Sequence, residues 1–395
     1  MYTSMMRRAL FGSGDTATLS LDLSSGTLPT EITFTRADST ARATYIDASG
    51  YVKTVASAGA ARFDYTGGVA KGLLIEAAAT NIITYSNAFT SGSWYTGGVP
   101  AVLTSNYAVG PDGVTGSAWR FTAQGPGFPS NSVFATPVSN GGAAHLVSIY
   151  AKSNTGSNQT FYIYNGSSGT NCTATNVWQR FQVSVAGTWP YAYFGTVGTN
   201  QDILIWGAQS EVGASTASSY IPTGASALTR LADDAVIRST AWTSLYSKPG
   251  TIVVEYYRGE YGAGDRSVLA IDTAATKHIH LKHANASAGS GVYNSAGLAV
   301  CAKLGGNVTG LNKAAFNWTS ANPSNIKYAL NGNAVVVSGT SDIGATLGTW
   351  MTIGSASTTG VSGSGTWEGY LNNSIKSVKY YSELLTDAEM IAKTT

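Results

Sequence analysis

Charge is what this sequence has least of: 11% of its 395 residues are Asp, Glu, Lys or Arg, about half the usual globular share. The 23 basic and 21 acidic residues nearly cancel, leaving a formal net charge of +2. Nucleic acids and anionic membranes are recognised by clustered Lys and Arg, so a balanced scatter argues against both as partners. Cysteine is almost missing. Cys172 and Cys301 lie far apart in the chain, which reads as two free thiols rather than a disulfide staple. Long apolar runs are missing too. Arg7-Arg8 leads into only Ala9-Leu10-Phe11 before Gly12, short of a signal peptide's apolar stretch, and no later segment is long enough to span a bilayer. The expectation is synthesis in a cytoplasm without membrane insertion. What is plentiful is Gly (46 residues) and Tyr (22 residues), together with Ser, Thr and Ala. That profile belongs to a β-rich protein with glycine-bearing turns, and the length supports about two or three cores.

Hydrophobic alternation divides the chain. Residues 1–30 are polar and punctuated by Gly and Ser, and read as an N-terminal docking arm whose one candidate for a short helix is Met5-Met6-Arg7-Arg8-Ala9-Leu10-Phe11. Residues 31–85 carry short alternating runs such as Glu31-Ile32-Thr33-Phe34-Thr35-Arg36, with Asp47-Ala48-Ser49-Gly50 as turn chemistry, and read as a small β connector. Residues 86–235 hold period-two runs, among them His145 to Tyr150, Thr160 to Tyr164 and Gln201 to Trp206, at the regular spacing of a sandwich. Residues 240–395 restart the pattern at Thr251 to Tyr257, place Asn331-Gly332 as hairpin-turn chemistry, and end with Thr386 and Glu389 spaced as a capping box.

Two signatures stand out. Arg62-Phe63-Asp64 runs to Gly72-Leu73-Leu74-Ile75-Glu76 and Thr80-Asn81. Gln209-Ser210-Glu211-Val212-Gly213 then runs to Ser219-Tyr220-Ile221-Pro222-Thr223 and Thr229-Arg230. With Phe34 to Ala37 and Ala43 to Asp47, they resemble a segment in structural proteins of tailed bacteriophages and related particles, where the first part leads into a jelly-roll module and the second leads out. The resemblance covers roughly residues 30–235. Trp178-Gln179-Arg180-Phe181 followed by Val183-Ser184-Val185 resembles a strand pair of carbohydrate-binding jelly rolls, and the C-terminal ending is similar to that of concanavalin A-like and laminin G-like domains. The expected fold is all-β: tandem antiparallel sandwiches, a jelly roll followed by a lectin-like sandwich.

The candidates for chemistry are sparse. Glycoside hydrolysis needs two carboxylates flanking one bond; Glu255 and Glu260 come nearest, but Glu260 falls in the turn expected between Gly259 and Gly264. His278, His280 and His283 share a run whose alternate positions face one way, yet Lys277 and Lys282 interleave them and no carboxylate is near in sequence, so a wet strand face outweighs a metal site. Asp233-Asp234 could approach Ca²⁺ but reads as linker chemistry, and His145 reads as a satisfied strand histidine. Gly262-Ala263-Gly264-Asp265 reads as a hairpin turn, not a phosphate loop. No catalytic residue, metal or cofactor is called for.

The best binding feature is aromatic. In Trp189-Pro190-Tyr191-Ala192-Tyr193-Phe194, residues Trp189, Tyr191 and Tyr193 fall on one face of an extended run, and Trp94 and Tyr95 are weaker additions. Flat rings with polar tips can stack on the apolar faces of sugars; sandwich core or a subunit interface is the competing reading. Family resemblance implies a non-enzymatic fibre, spike or decoration on a phage-like particle, a homotrimer on the virion surface. Its N-terminal region would meet other virion proteins, and its sandwiches would meet host surface polysaccharide. The alternatives are a purely structural decoration without glycan binding and a polysaccharide depolymerase.

Overall fold

The computed structural model describes residues 17–92, 94–97, 101–123, 132–135, 143–164, 169–185, 192–196, 201–237, 250–259, 266–273, 277–283, 290–293, 299–303, 308–318, 326–337, 350–355 and 369–395. Every strand pairing recorded between them is antiparallel, and the long strands follow the alternation of the sequence. In Gln159–Tyr164, Phe161 and Ile163 are buried while Thr160, Tyr162 and Tyr164 face outward. Where both faces are covered the alternation disappears. Gly250–Arg258 sends Ile252, Val254 and Tyr256 into one core and Val253 into another.

The larger sandwich, here the base, pairs an eight-stranded with a seven-stranded sheet. At the centre of the first, Asn373–Tyr381 lies between Gly250–Arg258 and Val69–Ile75 and also pairs with Leu19–Asp22. In the second, Ile32–Thr35 is the edge strand next to Asp234–Ile237. Four strands that precede the jelly roll in sequence, Leu19–Asp22, Ile32–Thr35, Phe63–Thr66 and Val69–Ile75, are therefore built into the sheets of the C-terminal sandwich. Separate arm and connector domains were the sequence expectation; strand pairing instead makes residues 19–75 part of the base and the jelly roll an insertion into it. The reason is non-local: these strands find their ladder partners some 300 residues later, at Leu73↔Ile375 and Leu21↔Val378.

Gly72 marks one such contact. Its φ is +106°, and an added Cβ would lie 2.0 Å from the Ile375 carbonyl oxygen, so only glycine fits where the two strands touch. Outside the eight-stranded sheet lies the helix Asp387–Thr394. Thr386 and Glu389 form the expected capping box, and Met390 is fully buried with Val253, Ala315 and Tyr381, worth about 2 kcal/mol for that side chain. Asn331 and Gly332 both have the expected positive φ, but the register Tyr328↔Val336 makes the loop longer than a two-residue hairpin. The hairpin expected at residues 259–264 is corrected as well. Gly250–Arg258 and Arg266–Thr273, which flank it, belong to different sheets and do not pair, and residues 260–265 lie outside the described residues.

The inserted module has two five-stranded sheets. Counted as eight strands from Ala118–Ala123, one sheet runs first, eighth, third, sixth and the other second, seventh, fourth, fifth, each with one added edge strand. That is jelly-roll order. Phe121, Val147, Ile149 and Ile205 of the first sheet meet Phe161, Ile163, Ala192 and Phe194 of the second in one core. Cys172 lies in this core and Cys301 in that of the base, both as free thiols.

Candidate functional site

The two sheets of the jelly roll have different surroundings. The sheet holding Gln201–Val212 turns its outer face to the base, where Trp206, Tyr220 and Val52 are buried together and Ile46, Tyr150 and Trp178 pack on them. Val52 sits in the hairpin Thr44–Ile46 and Val52–Thr54, whose backbone bonds Pro111 and whose Lys53 Nζ donates to the Asp112 carbonyl 2.7 Å away. Those aromatic rings are occupied by packing.

Beneath this contact lies the answer to what the two sequence signatures do. Arg62 Nη1 donates to Glu76 Oε2 (2.6 Å) and its Nη2 to Asp233; Arg36 donates to Asp233 (3.0 Å) and Asp38 (2.8 Å); Arg230 stands 3.4 Å from Glu76. All six side chains are buried, Arg62, Arg230 and Asp233 completely. Three guanidiniums face three carboxylates, which is the balance that a desolvated cluster needs. Burial alone would raise the Glu76 pKa, but Arg230 and Arg62 with the two Ser219 bonds hold it well below the usual carboxylate range. Desolvation works against the Arg62 cation in the same way, and Asp233 and Glu76 reverse it. Asn81 completes the clamp: its amide donates to Ile221 O (2.9 Å) and accepts from the Ser210 and Ile83 backbones. The strands Ala79–Asn81 and Leu228–Arg230, which carry the chain into and out of the jelly roll, pair beside it. Asp233 accepts bonds from Arg36, Arg62 and the Glu76 N–H, so the cation site considered for it is already filled by guanidiniums.

Two polar cavities of about 220 Å³ each flank the segment Thr216–Ser218 at the junction. One is lined by Asp64, Lys71, Glu76, Tyr150 and Arg180. Burial raises the Asp64 pKa, opposed by Lys71 at 3.5 Å, so two carboxylates of opposite tendency share this cavity. Both Glu76 oxygens accept hydrogen bonds within the clamp: Oε1 from Ser219 N, and Oε2 from Arg62 and Ser219 Oγ. Glu255, the other carboxylate considered, sits 3.4 Å from Lys376 on the base, and Glu260 lies outside the described residues.

The opposite sheet of the jelly roll faces away from the base and carries the aromatic feature. Trp94 is 6% exposed, with its ring 4.7 Å from Phe89 and its indole N–H donating to Tyr85 O. It belongs to the core, which corrects its place among the surface candidates. Its neighbour Tyr95 is on the other side of the strand and 53% exposed. Tyr95 stands opposite Phe134, Phe134 opposite Tyr193, and Tyr193 opposite Tyr164. Ala192 and Phe194, which flank Tyr193, are buried in the core; the side chains of Tyr193 and Phe134 lie outside what the structure describes. Trp189 and Tyr191 lie outside the described residues. Tyr162 and Tyr164 join the row, their rings 6.3 Å apart and within 17° of parallel. A Cβ on Gly169 would be 2.4 Å from the Tyr162 ring tip, so that ring lies down across the sheet. Exposed Thr160, Asn171 and Thr173 border it.

Tyr162 and Tyr164 were not singled out from the sequence. The signal was present in Thr160-Phe161-Tyr162-Ile163-Tyr164, where both faces of an alternating run are aromatic or aliphatic instead of one being polar. The triplet His278, His280 and His283 lies on the strand Lys277–His283, with Asp272 opposite His278. His145 is 1% exposed within the jelly-roll sheet.

No family model matches the chain, and no curated protein does. Among solved structures, the chain is similar to the CBM40 of a Ruminococcus gnavus IT-sialidase bound to α2,3-sialyllactose, at 24% identity over 39% of this chain and 87% of that one, TM-score 0.28. The N-terminal CBM22-1–CBM22-2 tandem domain of Paenibacillus barcinonensis Xyn10C covers 78% of this chain and 99% of its own at 11% identity, TM-score 0.27. Domains LG4-5 of the mouse laminin α1 chain cover 63% and 86% at 11% identity, TM-score 0.22. Likenesses at this level assign the chain neither a ligand nor a family.

Proposed function

We propose that this chain is a non-enzymatic surface protein of a phage-like particle, a fibre, spike or decoration, that attaches to host cell-surface glycan through the outward sheet of its jelly roll. The observation that carries the proposal is the exposed Tyr95 together with the near-parallel pair Tyr162 and Tyr164 on the sheet turned away from the base, with the Tyr162 ring laid flat over Gly169. Tyrosine rings combine an apolar face with a hydroxyl tip, which suits a pyranose ring that is apolar on its C–H faces and polar at its rim. The base plays the complementary part of a mount, with the carboxylates of its clamp paired to Arg36, Arg62 and Arg230. The particle setting rests on the resemblance of the two signatures, and so do the homotrimer and the docking of the N-terminal region on other virion proteins.

The deciding experiment is binding of the purified, labelled protein to host cells with and without extracted surface polysaccharide as competitor. Saturable binding abolished by the polysaccharide is the expected result. Absence of binding by folded protein would favour a structural decoration.

A further inference from the structure

The junction cavity lined by Asp64, Lys71, Tyr150 and Arg180 takes its walls from both units. Asp64 and Lys71 come from the base strands Phe63–Thr66 and Val69–Ile75, while Arg180 comes from the jelly-roll strand Gln179–Val185, opposite Tyr150 in register. The two cations are not equally provided for. Lys71 has the Asp64 carboxylate at 3.5 Å. Half-buried Arg180 pairs with no carboxylate among the described residues: its Nη1 donates to the Ser218 carbonyl and its Nη2 to Ser148 Oγ at 3.0 Å, its Cζ stands 5.3 Å from the Tyr150 ring centre, and its Nε–H is buried without an acceptor. Glu76 is committed to Arg62 and Ser219, and Glu211 to Ser218. A guanidinium on a cavity wall with no counter-ion is a ready partner for a carboxylate, whose two oxygens match its fork.

The rest of the lining suits hydroxyls. Lys71 offers donors, and the Asp64 Oδ2 beside it is an acceptor whose charge Lys71 offsets, while Oδ1 is held by the Ile46 N–H at 2.8 Å. The Asn373 amide adds a further donor on the same wall. At about 220 Å³ the cavity is below the roughly 300–1,000 Å³ of sites for drug-sized ligands, which limits the occupant to about one sugar unit. We propose that this cavity binds a single acidic sugar, a hexuronate, with its carboxylate on Arg180 and its hydroxyls on Lys71, Asp64 and Asn373. The site is separate from the outward sheet and does not depend on glycan attachment there. Because the base and the jelly roll each supply part of it, an occupant also stabilises the junction between them.

Isothermal titration of the whole protein with glucuronate and galacturonate tests the proposal, with glucose, galactose and acetate as comparisons. The expected result is saturable one-to-one binding of at least one hexuronate with a Kd on the order of 1 mM, at least about tenfold tighter than all three comparisons, and a raised thermal unfolding midpoint at saturation. Arg180→Gln should weaken the hexuronate by about tenfold or more, and Arg180→Lys, which keeps the charge, by less. Arg120→Gln, whose guanidinium is already paired with Asp202 at 2.8 Å, should leave binding unchanged. In the natural protein, failure of both hexuronates to bind would overturn the proposal, and so would glucose, galactose or acetate binding as tightly as they do. A folded Arg180→Gln protein with undiminished affinity would overturn it as well. None of these outcomes alters the result of the cell-binding experiment on the outward sheet.

Discussion

Glu76 and Ser219, 143 residues apart in the chain, are joined twice: the Ser219 N–H donates to Oε1 at 2.8 Å and its hydroxyl to Oε2 at 2.7 Å. One residue belongs to the strand that leaves the base and the other to the segment that returns from the jelly roll. With Arg62, Arg230 and Asp233 they tie the mount to the module. Removing one member of a buried charge cluster leaves its counter-charges desolvated and unmatched, at a cost of about 3–5 kcal/mol. Arg62→Met and Glu76→Gln should each lower stability by that order in urea unfolding followed by tryptophan fluorescence. A loss under about 1 kcal/mol would show that the clamp does not hold the fold together.

The same carboxylate sets an acid limit. The folded Glu76 pKa is depressed below its unfolded value, so its contribution is fully present above the ordinary Glu range, near pH 4.3, and declines as pH falls below it. Asp64 and Glu211 act with the opposite sign, because burial raises their pKa values and the folded state therefore holds their protons more tightly. Unfolding free energy should fall from pH 5 to pH 2.5 in the natural protein and fall less steeply in Glu76→Gln. Equal slopes would refute the assignment of acid sensitivity to Glu76.

Gly169 offers a way to disturb the Tyr162 and Tyr164 pair without touching a ring. An alanine there meets the far end of the Tyr162 side chain at 2.4 Å, an end that can swing aside. A Cβ there would also lie 2.7 Å from the Ile163 carbonyl oxygen, so Gly169→Ala should lower stability by about 1–3 kcal/mol through overpacking and weaken polysaccharide binding by tilting Tyr162 up. Unchanged affinity would mean that the flat pose of Tyr162 is irrelevant to the ligand.

At Gly72 the atom that an alanine would strike is the backbone oxygen of Ile375 at 2.0 Å, and the φ of +106° disfavours any side chain. Gly72→Ala should destabilise the base by at least about 1 kcal/mol. Thermal unfolding would measure it, and an unchanged midpoint would show that the strands separate freely.

Both thiols are sealed: burial pushes the Cys172 and Cys301 pKa values up to about 11, and only a thiolate attacks a disulfide reagent. At pH 8 neither should react with an aromatic disulfide until the protein is denatured, when both should. Rapid labelling of the folded protein would contradict the burial of the two cores.

The sequence by itself determined the all-β class, the capping box at Thr386 and Glu389 and the two unpaired cysteines. These are local properties: period-two burial, turn chemistry and composition act over a few residues and can be read without a partner. What only the tertiary structure decided was pairing over long distances. It placed Leu21 beside Val378 and so made the supposed arm and connector part of the base. It also collected Arg36, Arg62, Glu76, Arg230 and Asp233 into one buried cluster, so that residues which read as a signature are a clamp. Register put Tyr95 and Tyr164 on one sheet from distant parts of the chain, and Trp94 withdrew into the core because the alternation that exposes Tyr95 must bury its neighbour. A strand names its two faces by itself, but which face meets water depends on the sheet packed against it.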